Sequence, residues 1–161
     1  MSFNHFDAEG RARMVDVSGK EPTLREARAE AVIELGSLLL ERILDGRLVK
    51  GDVLGVARLA GIAAVKKTPD LIPLAHTLGV HHAAIEFTPD RDGGRLGVRC
   101  RVRALERTGV EMEAMTGASV AALAVYDMVK GEDRNVVIAR VRLLHKSGGR
   151  SGAWDRDPES P

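Results

Sequence analysis

Ionisable residues stand at both ends of the most apolar stretch of this chain. Glu111 and Glu113 open a run rich in Ala, Met and Val, and Asp127 and Lys130 close it. Carboxylates in the first turn of a helix sit at the positive end of its dipole. Capping is therefore one reading of Glu111 and Glu113, and a grip on a ligand is the other. Asp127 and Lys130 are three positions apart on one helical face, the spacing of an ion pair. An aspartate near a helix C-terminus opposes the dipole, so unless Lys130 offsets it the carboxyl pKa should rise, as general acid–base chemistry requires. Glu113 and Asp127 are fourteen positions apart, close to a whole number of turns. They share a stripe and lie ~21 Å apart at about 1.5 Å per residue. One small substrate does not bridge that span. Either one end serves alone, or a symmetric dimer brings one copy's acids to the other's Asp127 and Lys130.

Other residues carry weaker signals. Lys50, in Val49-Lys50-Gly51-Asp52, precedes a helix whose N-terminus can hold an anion, and Gly51 permits close backbone approach. A solvated loop lysine is the alternative. His76 follows the apolar Leu71-Ile72-Pro73-Leu74-Ala75, so it is either tuned near neutrality or bonded to a backbone carbonyl. His81 and His82 are adjacent on a strand and face opposite ways, there is no HExxH and Cys100 is alone, so the sequence predicts no protein-bound metal. Lys146-Ser147-Gly148-Gly149-Arg150-Ser151-Gly152 suits an oxyanion through its amides and cations, or is a flexible basic tail.

The elements that must position these residues follow from periodicity. A ragged arm over 1–12 precedes a short strand, Met14 to Val17. Thr23 with Glu26 forms a capping-box pattern, and Leu24, Ala27, Ala31, Leu35, Leu38 and Leu39 recur at helical spacing up to Asp45-Gly46, with Gly36 a break point. A second helix, with small residues on its packing face, opens after Gly51-Asp52 and stops before Thr68-Pro69. From Val80 the period becomes two, and the return strand points Leu96, Val98, Cys100, Val102 and Ala104 one way and Arg95, Arg99, Arg101 and Arg103 the other. A buried helix spans about 110–130. A last strand, 136–146, alternates Val137, Ala139, Val141 and Leu143 against Ile138, Arg140, Arg142 and Leu144. The stretch 147–161 should be mobile. The order β-α-β-β-α-β predicts a single α+β domain over 1–161 with a ferredoxin-like antiparallel sheet and helices on one face. The bare face predicts an oligomer.

Composition narrows the class. At 161 residues and 44% apolar, the chain can fill one core, and with 3% aromatics that core must be aliphatic. The 24 Lys and Arg nearly cancel the 23 Asp and Glu, and the strands lack stacking aromatics, which argues against nucleic acid as a partner. MSFNHFDAEG lacks the basic and apolar regions of a signal peptide, and no apolar run approaches a membrane span, so the expected place is the cytoplasm.

Several stretches together resemble the molybdenum cofactor biosynthesis protein C family: Met14-Val15-Asp16-Val17, Arg25-Glu26-Ala27, Lys50-Gly51-Asp52, Asp70-Leu71-Ile72-Pro73-Leu74, Tyr126-Asp127-Met128, Arg142-Leu143-Leu144-His145-Lys146 and, above all, Thr108-Gly109-Val110-Glu111-Met112-Glu113-Ala114-Met115-Thr116. The resemblance implies a homohexamer built as a trimer of dimers, with active sites at the dimer interface. It implies a lyase reaction that converts 3',8-cyclised dihydro-GTP into cyclic pyranopterin monophosphate and pyrophosphate, with no resident cofactor. Magnesium would enter only with the triphosphate. By the same resemblance Asp127, Lys130, Lys50 and His76 are catalytic. Leu74, Ala75, His76, Met112, Glu111, Glu113, Arg25 and Lys146 contact the substrate, Arg25 and Lys146 at its phosphates. The upstream intermediate is labile, so a transient complex with the preceding radical enzyme is expected. The chain departs from the family's Leu-Cys-His-Pro loop, since Ala75 and Thr77 flank His76, and Ala139-Arg140 replaces a Gly-Pro pair. An inactive, ligand-binding paralogue and a plain structural oligomer are the competing readings.

Overall fold

The structure, a computed structural model, describes residues 5–157; positions 1–4 of the expected arm and 158–161 of the tail lie outside it. Its elements are β1 (Thr23–Glu34), α1 (Ser37–Leu44), α2 (Val53–Lys66), α3 (Thr68–Leu71), β2 (Val80–Asp90), β3 (Arg95–Glu106), α4 (Glu111–Val129), β4 (Val137–Ser147) and β5 (Trp154–Asp155). One antiparallel sheet has the order β2-β3-β1-β4-β5. Its first four strands give the ferredoxin-like arrangement expected from the element order.

The first strand is not where the sequence pattern put it. Met14–Val17 joins no ladder, and residues 23–34, expected as a helix, form the central strand instead. Glu26, the supposed capping partner, accepts from Arg101 at 2.8 Å and from Arg103 at 2.7 Å on the neighbouring strand. The Arg101 bond, opposed by burial, holds its carboxyl below the usual range. Ala27, Ala29, Ala31 and Ile33 are fully buried at period two, facing the helices. Gly36, at φ 74°, separates this strand from α1. The second helix runs as expected, and Asp52 caps it by accepting from the Gly55 amide at 2.8 Å.

The core is aliphatic: Ile33, Leu40, Leu96, Val98, Val102, Val125 and Val129 are among its largest fully buried side chains. The small residues expected on α2 meet α4 closely. A Cβ added to Gly61 would stand 2.9 Å from the Gly117 carbonyl, and one added to Gly117 would stand 2.7 Å from Cys100 Sγ. Burial pushes the Cys100 thiol up to about 12, which makes it packing rather than a nucleophile.

Strand β4 departs from simple alternation at two bulges. Ile33 pairs with Ile138 but Val32 with Arg140, and Ala29 pairs with Leu143 but Arg28 with His145. Each bulge adds one residue and switches the side chains beyond it to the other face. Ile138, not Val137, therefore packs against the core, and Val137 is exposed. After the second bulge, at Leu144, Lys146 pairs with Ala27 and shares its helix-bearing face. The opposite face carries ion pairs: Glu30 meets Arg142 at 2.9 Å and Arg140 at 3.5 Å.

Candidate active site

The side chains predicted to do chemistry gather at the two ends of α4. At its N-terminal end, Lys146 Nζ lies 2.8 Å from a Glu111 oxygen. The Glu111 carboxylate folds back beside Gly109, where an added Cβ would clash with it, so the glycine makes room for the acid. Arg25 donates to the carbonyls of Glu106 at 3.1 Å and Arg107 at 3.2 Å. The strand ends thus hold its guanidinium. These groups line a cleft of about 770 Å³, in which Lys20, Arg25, Arg107, Lys146 and Arg150 outnumber Glu21 and Glu111. The backbone of Gly148 and Gly149 forms part of the wall.

A second pocket, of about 550 Å³, adjoins the first and shares Lys20, Thr108, Gly109 and Glu111 with it. Its wall is mixed: Leu74, Ala75, Leu78 and Met112 are apolar, while His76 and Glu113 are titratable. Nε2 of His76 lies 2.7 Å from the Val15 carbonyl. A carbonyl only accepts, so Nε2 carries the proton and Nδ1 is the ring atom able to accept one. The extended Met14–Val17 segment, having no strand partner, orients this histidine. Glu113 is 3% exposed. Burial first, then the charge of Glu111, raises its carboxyl to about 7. Capping alone does not describe either acid, since Glu111 reaches Lys146 and Glu113 lines the pocket.

The other end of α4 holds a separate cluster. Lys130 Nζ lies 2.7 Å from Asp127, and Lys50 Nζ donates to the Asp127 backbone carbonyl at 2.7 Å. Gly51, at φ 83°, turns the loop that delivers Lys50. Lys130 does offset the helix dipole at Asp127, so the rise expected in its absence does not occur. The Lys130 hydrogen bond and charge, aided by Lys50, hold the carboxyl below its ordinary value, and Lys130 in turn is raised by Asp127. The pair is an ionised base beside a protonated ammonium. Because α4 is continuous between the ends, ~21 Å of helix separates Glu113 from Asp127.

A sequence model of the MoaC family matches residues 14–149. The chain belongs to the MoaC family. The cyclic pyranopterin monophosphate synthase of Geotalea uraniireducens (strain Rf4) is 65% identical over 159 residues, 99% of either chain. That of Geobacter sulfurreducens (strain ATCC 51573 / DSM 12127 / PCA) is 62% identical over 157 residues, 98% of either chain. The Pelotomaculum thermopropionicum protein of the same name is 53% identical over 155 residues, 96% of this chain and 91% of its own.

Within this MoaC chain, the substrate-binding residues expected from the sequence, Arg25, Leu74, Ala75, Glu111, Met112, Glu113 and Lys146, all line the joined clefts, with His76 among them. Lys50, Asp127 and Lys130 line neither. Lys20 and Arg107 were missed; both sit in irregular loops, where no periodic pattern marks them. Among the described residues no three His, Cys, Asp or Glu side chains converge as a metal site. Nor is any helix there long and apolar enough to cross a membrane.

Proposed function

We propose that this chain is a cyclic pyranopterin monophosphate synthase, converting 3',8-cyclised dihydro-GTP into the cyclic monophosphate with loss of pyrophosphate, an early step of molybdenum cofactor biosynthesis. The observation that carries this reading is the joining of a cationic cleft to an apolar, titratable pocket through Lys20, Thr108, Gly109 and Glu111. A nucleotide-derived triphosphate has that division, an anionic tail and a partly apolar heterocycle with donors and acceptors. Arg25, Lys146, Lys20 and the Gly148-Gly149 backbone hold the phosphates, and Arg25 also stabilises charge as pyrophosphate departs. Leu74, Ala75 and Met112 flank the ring, His76 Nδ1 accepts a proton, and Glu113 donates one.

In this reading Asp127 and Lys130 are the principal base and acid, with Lys50 holding the helix end that presents them. They reach the cleft from a second copy, since their own lies a helix length away. The assembly is the hexamer of three such dimers, and the arginine- and glutamate-rich sheet face is one surface available for burial. No resident cofactor is needed. Magnesium, where present, would arrive with the triphosphate, and Glu111 would be the carboxylate to hold it. Hand-over of the labile substrate in a transient complex with the radical enzyme completes the proposal.

The test is incubation of the purified chain with the cyclised intermediate, following pyrophosphate and pterin together, with Asp127→Asn as control. Product from the native chain alone is the expected result. Tight binding with no product would replace this reading with that of an inactive relative and direct attention to Ala75.

A further inference from the structure

The last described residues lie against the edge of β4. Trp154 and Asp155 pair with Lys146 and His145, and His145 Nδ1 bonds Asp155 at 2.7 Å. The Arg156 amide donates to the Leu144 carbonyl at 2.9 Å, and its Nε donates to the Leu143 carbonyl at 2.8 Å. Its guanidinium lies over the Trp154 ring at 5.7 Å. Between 151 and 157 it is the one residue that is not exposed.

These bonds fall on the bulge that decides where Lys146 points. Leu143 faces the helices beside Ala29, and without an extra residue Lys146 would share the face of Leu144, away from them. Leu144 is that extra residue, and it turns Lys146 onto the face where Glu111 waits. A bulge leaves ladder groups unpaired. Arg156 supplies donors to the two carbonyls at this one.

We infer that Arg156 is a positioning residue for the cleft: by bonding the carbonyls of Leu143 and Leu144 it holds the register that aims Lys146 at bound phosphates. It touches no substrate itself. Arg156 acts on binding through Lys146 and on nothing in proton transfer. The inference rests on the cleft accepting a polyphosphate, as the proposed function has it.

The experiment compares the full chain with Arg156→Met, Arg156→Lys, Lys146→Ala and the double variant Lys146→Ala/Arg156→Met. Steady-state kinetics and the affinity for inorganic tripolyphosphate are both measured. Arg156→Met should raise KM and the tripolyphosphate Kd about five- to tenfold, the effect of losing about one hydrogen bond, with kcat within about twofold. Arg156→Lys, which keeps a donor on a long stem, should restore most of the loss. In the Lys146→Ala background the Arg156→Met change should add nothing. Unchanged KM and Kd, additive losses, or a fall confined to kcat and thermal midpoint would overturn the inference, the last marking a merely structural residue. Should the native chain bind tripolyphosphate without turnover, the synthase reading fails while the affinity series still decides this one. A native chain that binds no tripolyphosphate would overturn it outright.

Discussion

Asp127 stays charged because Lys130 and Lys50 surround it, and that suits a base more than an acid. Asp127→Asn removes the acceptor while keeping shape and the backbone carbonyl that receives Lys50. Turnover should fall about 100-fold or more, the usual worth of a general base, with the oligomeric mass unchanged by light scattering. Glu113 is the opposite case. Its pKa of about 7 lies above the 4.5 it regains on unfolding, so the unfolded chain releases this proton first. Its stabilising contribution is complete below about 4.5, is lost as pH rises through 7, and stays lost above that. Glu113→Gln should therefore raise the thermal midpoint near pH 8 and leave it almost unchanged near pH 4.5. Equal shifts at both pH values would show that the carboxyl is not the titrating group. Residue types alone identified these acids as candidates. The lowered pKa of Asp127 was within reach of the sequence, since its chief cause, Lys130, stands three positions away, with Lys50 only adding to it; the raised pKa of Glu113 was not, because it depends on the walls of a pocket.

At the scale of elements, the crossing of α2 and α4 depends on two glycines whose backbones nearly touch. Gly61→Ala would press a methyl against the Gly117 carbonyl and Ile85, neither pair having room to part within a buried layer. A loss of about 1–3 kcal/mol in urea unfolding is expected, the usual cost of overpacking. The same small residues explain what could be read and what could not. Helix α2 was plain, since its cap and its end are local. Segment 23–34 was misread because Ala27 and Ala31, four positions apart, satisfy either period. The deciding partner of Glu26, Arg101, lies 75 positions away. Strand β4 was placed correctly, but its bulges were invisible: alternation alone turns Lys146 the wrong way. The resemblance named Lys146 as a ligand without showing how it gets there.

At the scale of the whole molecule, separation of the two clusters has a quantitative consequence if sites span two copies. Mixing Glu113→Gln subunits with Asp127→Asn subunits, each inactive alone, should restore roughly a quarter of native turnover, the statistical yield for isologous pairs. No recovery after exchange of subunits would place the whole reaction within one copy. The tail offers a different kind of handle. Trp154 is the only tryptophan in the sequence, and it lies in β5 directly beside Lys146, under the Arg156 guanidinium. Its emission comes from a single, partly wet indole at the margin of the cationic cleft. Any anion that draws Lys146 and the glycine loop inward should change the intensity or wavelength of that emission. The protein thus carries a built-in optical reporter of cleft occupancy, and stopped-flow fluorescence with no added dye should time substrate arrival separately from pterin formation.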